Sequence, residues 1–335
     1  MIKNALFLLF VGFFFFACSA SKPQKEVTVY VSEDQVFSQP VLEAFEKETG
    51  IKVRAVYDTE ESKSTGVMNR LIAEKNNPRA DVYWANEPIR AEVLRQKGIL
   101  APYQSPNAKG IDTVFVQKEH FWTGFSARIR LLVVSNKAIK KPYSILDYLN
   151  PDFKAKSVIA NPLFGTTTSH IAALFTVWGE EKTKDFLTKM KQNSVSISTS
   201  NGESADFVAD GAYDFALVDS DDAMSKMAQK APVNLVYPDQ QEGALGAFVV
   251  PNVVMMIKGA THPENAKKLI DFLLGAKSEK MLAFADCAQI PLHQDVPMPK
   301  GLKSMDEIKV MQVDYAKVAK KLLEIQPFLK AWVAQ

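Results

Sequence analysis

The hydrophobic positions of this chain switch repeatedly between a spacing of two and a spacing of three to four. Residues 27–31 form a short run rich in Val and Tyr, the pattern of a buried strand. A helix is expected over 40–49, with Val41, Leu42 and Phe45 on one face and Gly50 closing it at C′. Residues 51–57 alternate like a second strand, and 64–75 return to helical spacing through Val67, Leu71 and Ile72. A third strand over 80–84 and a helix over 88–97, stopped by Gly98, complete the series. This order predicts α/β architecture, with a parallel sheet covered on both faces.

A second such series starts near Trp122. Strands are expected over 130–135, 157–160, 195–198, 213–218 and 234–237, with helices over 169–178 and 180–191. An apolar strand-like run follows over 248–257. The helix after it, over 263–274, carries Ala266, Leu269, Ile270, Leu273 and Leu274 on one stripe. Residues 305–334 are helical in character. In doubly wound sheets a ligand binds beyond the carboxyl ends of the strands, and two such units facing each other make a cleft.

With 335 residues the chain has the length of about two domains. Its 47% hydrophobic and 23% charged residues exclude a disordered, collagenous or multi-span membrane protein. A net charge of +2, from 40 basic and 38 acidic residues, gives no reason to expect nucleic acid as a partner. Lys3 and the apolar run 5–17 read as a signal segment, too short for a span of about 20 residues. The run ends at Ala17-Cys18, which resembles a bacterial lipobox although Phe15 stands where Leu is usual. On that reading residues 1–17 are removed, Cys18 is lipidated, and 18–26 form a polar tether to the membrane. The other reading is a plain secretory signal. Cys287 then has no intramolecular partner and is expected to be a buried hydrophobe.

Several stretches, in order, resemble the ferric-ion-binding family of solute receptors. These are Val27-Thr28-Val29-Tyr30, the run 44–53, Ala80-Asp81-Val82, the runs 98–102 and 122–130, His262-Pro263-Glu264-Asn265-Ala266 and Gln289-Ile290-Pro291-Leu292. The resemblance implies a two-lobed type 2 periplasmic binding fold with the ligand between the lobes. It divides the chain into one lobe of 27–120 with 249–285 and another of 121–248 with 286–335. The hinges are expected near 119–124 and 246–251. It also implies a monomeric receptor that passes its ligand to an ABC permease of the inner membrane and carries out no chemistry.

Carried over by position, the resemblance puts Asp34 at the family's metal-binding histidine and Glu87 at its glutamate. Its paired tyrosines are replaced by Asp221 and Asp222, next to Asp219. Tyrosinate is a strong hard ligand that gives ferric selectivity, whereas carboxylates also suit calcium, manganese and magnesium. Read from the residues alone, Asp219, Asp221 and Asp222 could equally be a solvated turn and helix cap. Gly165, Thr166 and Thr167 match the family's anion-holding loop, Asn201 another anion-side residue, and Arg128 could clamp the same anion. The ligand expected first is ferric iron with a synergistic anion, as cargo rather than cofactor. A phosphorylated, phosphonate or cationic organic solute is the alternative, since some relatives without tyrosines bind phosphorylated or phosphonate solutes. An exported carboxylate glycosidase is a remote third. His120, His170, His262 and His293 show no metal-ligand spacing, although His170 lies near the anion loop. Trp84 and Trp122 are candidates for the cleft wall or for the core.

Overall fold

A computed structural model describes residues 25–58 and 64–334. The signal segment and Cys18 therefore lie outside the described residues. The first half of the fold contains β1 (Glu26–Val31), α1 (Gln35–Thr49), β2 (Lys52–Tyr57), α2 (Thr65–Ala73), β3 (Val82–Ala85), α3 (Pro88–Gln96) and the short β4 (Leu100–Ala101). The long strand β5 (Thr123–Ser135) leads into β6 (Ser157–Ala160), α4 (Gly165–Val177), α5 (Glu180–Gln192), β7 (Ser196–Ser198), α6 (Asn201–Asp210), β8 (Phe215–Asp219), α7 (Ser220–Ala228) and β9 (Val233–Val236). The chain returns through β10 (Val249–Ile257), α8 (Pro263–Leu273) and α9 (Ala276–Ala283), and ends in α10 (Tyr315–Glu324) and α11 (Gln326–Ala334).

The strands run in the order β2-β1-β3-β10-β5-β8-β6-β7, with β4 on β10 and β9 on β5. Each end of the sheet is parallel, as the βαβ pattern requires: β2, β1 and β3 at one end, and β8, β6 and β7 at the other. The centre is antiparallel, because β10 and β5 run against their neighbours. The sheet is therefore mixed rather than wholly parallel. Strand β5 belongs to both halves. Its residues Thr123–Ile129 pair with β10, and from Arg130 onward it pairs with β8 and β9. This is how one strand can bring side chains to the boundary of a two-lobed fold.

The pairing of β5 with β10 shifts register between Pro251 and Asn252, opposite Ser126. Ser126 adopts φ 42, an uncommon value for a residue with a side chain. Its N–H donates to Glu279 Oε1 at 2.7 Å, so α9 holds this bulge. Buried apolar residues form one large cluster on each side of the sheet. Trp84 and Trp122 are both in the core, where they donate to Asn252 Oδ1 at 3.3 Å and Glu92 Oε1 at 2.8 Å. Cys287 is buried, and burial pushes its thiol pKa up. Helix α10 packs on both α3 and α4 and so ties the two halves together.

Candidate functional site

Five strand-to-helix turns meet at one cleft. Strand β1 leads to Asp34, the N-cap of α1, and β3 to Asn86, just before α3. On the other bank β6 leads to residues 160–167 at the start of α4, β7 to 199–202 at the start of α6, and β8 to Asp219, Asp221 and Asp222 at the start of α7. These are the carboxyl ends of the strands in both halves, where side chains and helix termini project beyond the sheet. The cavity measures about 40 Å³, and one water needs roughly 10–15 Å³ on that measure. Its inner part therefore takes a small ion or one oxyanion group.

Three helices, α4, α6 and α7, point their N-termini into this cleft. The first N–H groups of each have no acceptor within the helix, and each terminus carries part of a positive charge. Gly165 opens α4 with φ 58, a backbone conformation that a residue with a side chain would adopt at a cost. Helix α4 thus begins four residues earlier than its β-branched Thr166, Thr167 and Thr168 suggested. Their propensity is weak, but all three are buried and held by tertiary contacts.

Arg130, which the sequence pattern did not single out, organises this bank. It is fully buried. Its Nη1 donates to Asn201 Oδ1 at 2.9 Å, Asp219 Oδ1 at 3.0 Å and Thr166 Oγ1 at 3.3 Å. Its Nη2 donates to Leu217 O at 3.1 Å and Thr167 Oγ1 at 3.2 Å. Thr166 Oγ1 in turn donates to Asp219 Oδ2 at 2.7 Å. Burial alone would raise the Asp219 pKa, but Arg130, Arg128 and the Thr166 hydroxyl hold it below the usual carboxylate range. The side chains of Thr166, Thr167, Asn201 and Asp219 are thus committed to Arg130, while the helix starts that carry them line the cleft.

Arg128 lies two residues earlier on β5 and reaches between the banks. Its Nη1 is 3.5 Å from Asp221 Oδ2 and 3.6 Å from Glu33 Oε2, and its Nη2 donates to the Asn86 carbonyl. Burial works against its charge, yet Asp221 and Glu33 outweigh that cost and raise its pKa. Asp34 and Asp222 are half-buried and line the cleft. Oxygens of Asp219, Asp221 and Asp222 lie within 4.8 Å of one another, close enough to hold a metal ion. Among the described residues, five carboxylates (Glu33, Asp34, Asp219, Asp221 and Asp222) surround two guanidinium groups.

The structure therefore brings Asp34, Arg128, Gly165, Thr166, Thr167, Asn201, Asp219, Asp221 and Asp222 to one cavity. It does not bring Glu87 there. Glu87 caps α3 and pairs with Arg90, fully buried, and its neighbour Asn86 lines the cleft instead. Nor does His170 reach the cleft. Its ring stacks on Phe248 at 5.1 Å, and burial and then Arg130 push its pKa down to about 3. The signal for Arg130 was present in the alternation of residues 126–131. Ser126, Arg128 and Arg130 share one parity, while Ala127, Ile129 and Leu131 share the other.

The sequence profile of the bacterial extracellular solute-binding proteins matches residues 27–283. A Salmonella typhimurium protein provisionally named a 2-aminoethylphosphonate-binding periplasmic protein is 27% identical over 299 residues, covering 86% of this chain and 85% of its own length. Iron uptake protein A1 of Synechocystis is also 27% identical, over 300 residues that cover 85% of this chain and 81% of its own. The crystal structure of iron-bound HitA from Pseudomonas aeruginosa superposes with a TM-score of 0.81 at 22% identity, over 91% of this chain and 99% of that one. The chain belongs to the bacterial extracellular solute-binding protein family.

Proposed function

We propose that this extracellular solute-binding protein is the receptor of an ABC importer for a small zwitterion, an organic phosphonate or phosphate that also carries an ammonium group. The observation that carries this reading is the meeting of three helix N-termini with an excess of carboxylates in one cleft. The helix termini favour an oxyanion, each by up to ~2 kcal/mol in partly buried geometry. Asp34 and Asp222 favour a cation beside it. One molecule bearing both charges satisfies both features. The relative named for 2-aminoethylphosphonate supports the same ligand class.

Ferric iron with a bound anion is the second reading. It is favoured by the three aspartates whose oxygens approach within 4.8 Å, and by the iron-uptake relative. Asp219 and Asp221 already face Arg130 and Arg128, however, so a trivalent ion would compete with two buried guanidinium groups. No tyrosine lines the cavity among the described residues. The organic zwitterion is therefore preferred.

The receptor works in the periplasm, tethered through lipidated Cys18, as a monomer that releases its solute unchanged to the inner-membrane permease. Calorimetric titration of the mature protein with 2-aminoethylphosphonate, inorganic phosphate and ferric citrate tests the ligand. A response to ferric citrate alone would replace the organic reading with the iron one. Cys18→Ala should move the protein from the membrane fraction to the soluble periplasm, and unchanged fractionation would remove the anchor.

A further inference from the structure

Glu87 sits where the resemblance placed a metal ligand, yet each of its oxygens is engaged elsewhere. Oε1 accepts from Arg90 N at 2.9 Å and Arg90 Nη1 at 3.2 Å. Oε2 accepts from Ile89 N at 2.8 Å and from the Ser169 hydroxyl at 3.1 Å. Ser169 belongs to α4, across the cleft from α3. Arg90 makes the same crossing, since its Nη1 lies 3.3 Å from the Gly165 carbonyl and 3.4 Å from Ser169 Oγ. Its Nη2 donates to Thr65 Oγ1 at 2.9 Å, which anchors it on its own half. Glu87 and Arg90 are both buried, at 0% and 1% exposure, which makes their contacts strongly distance-dependent.

We propose that Glu87 and Arg90 are a clasp between the two halves, coupling closure of the cleft to the orientation of the α4 turn that receives the oxyanion. Both are positioning residues and touch no ligand. Gly165 is the residue that the clasp holds, and it lines the cavity together with Thr166 and Thr167. The bonds from Ser169 to Glu87 and from Arg90 to Gly165 exist only when the halves stand at this separation. Their free energy therefore weights the closed form and aligns the α4 N-terminus in the same event. Helix α10, packed on both α3 and α4, limits how far the two can part.

The affinity arm of the test rests on the zwitterion reading, and the shape arm does not. Full-length mature wild type, Ser169→Ala, Ser169→Thr and Arg90→Met are compared by small-angle scattering without ligand and by titration with 2-aminoethylphosphonate. Ser169→Ala should enlarge the radius of gyration of the ligand-free protein. It should also weaken 2-aminoethylphosphonate about fivefold, the worth of one hydrogen bond, mostly through faster dissociation. Ser169→Thr keeps the hydroxyl and should restore both values. Arg90→Met should open the protein further, and if it fails to fold, the Ser169 pair decides. A wild type that binds no phosphonate removes the zwitterion reading, and the scattering difference then decides the clasp by itself. Equal radii for wild type and Ser169→Ala would overturn it, as would a shift in melting temperature with no change in radius.

Discussion

On the bank carried by β6, β7 and β8, Arg130 ties Thr166, Thr167, Asn201 and Asp219 into one hydrogen-bonded set, while the facing bank contributes Asp34 and Asn86 at the ends of β1 and β3. The first bank is organised by its own hydrogen bonds. Its helix termini are aimed and its side chains bond to one another, although the buried Nε of Arg130 has no acceptor, and the bonds already made reduce the ordering left to binding. The second bank adds Asp34 and is joined to the first by Arg128, which contacts both sides. The contrast teaches that two arginines two residues apart on one strand serve different ends. Arg130 builds a surface, and Arg128 joins that surface to its opposite.

The largest expected effect breaks the organised bank. Arg130→Met leaves Asp219 buried without its guanidinium and should cost about 3–5 kcal/mol of stability. Urea unfolding measures it, and a loss under about 1 kcal/mol would mean that Arg130 does not hold the bank together. Next comes pH, which separates the regions behind the two banks. His170 lies behind the organised bank with its pKa lowered to about 3, so the folded state excludes a proton that the unfolded chain binds below about 6.5. Stability should fall as pH drops below about 6.5, by about 1.4 kcal/mol per unit. His293, on the side of α9, pairs with Glu279 at 2.8 Å, which raises its pKa, so its contribution is complete below about 6.5 and is lost as pH rises. Thermal melts from about pH 5 to 8 should therefore peak near about 6.5, and His293→Gln should flatten the upper limb alone.

A smaller effect tests the facing bank. Asp34→Asn should weaken an amine-bearing phosphonate about tenfold, or about 1.4 kcal/mol, and leave an amine-free phosphonate unchanged. Equal losses for both ligands would place the amine elsewhere. The smallest concerns Gly202 at the start of α6, where an added Cβ would stand 3.4 Å from Asp222 Oδ1. Gly202→Ala should gain up to ~1 kcal/mol in stability from helix propensity, while phosphonate affinity drops a few-fold as the methyl narrows the cleft. Unchanged affinity would mean that the α6 terminus does not face the ligand.

Much of this arrangement was legible in the chain. Gly50 caps α1 in the left-handed conformation, as its position after a periodic run implied. The αβ alternation located the strand ends, and the family resemblance pointed to the aspartates, threonines and Asn201 that line the cleft there. What was not legible has physical causes. Helices α6 and α7 are short, and α7 starts directly where β8 ends while two residues separate α6 from β7, so their polar first turns read as loops. The alternation over 126–131 sets Arg130 on the polar parity, but it gives no sign of the partners that await it on α4, α6 and β8. Glu87 was misplaced by position alone. An acid directly before Pro88 is a helix cap by the same rules that identify caps elsewhere, and it accepts from Ile89 N and Arg90 N.

The proposed ligand is an oxyanion held by helix termini joined to an amine held by carboxylates. Paired calorimetric titrations of the mature protein with 2-aminoethylphosphonate and ethylphosphonate test it most directly. The predicted result is binding of the amino compound with a Kd of about 1 µM or tighter, and of ethylphosphonate at least about tenfold more weakly. No heat with either phosphonate, alongside tight binding of ferric citrate, would contradict it.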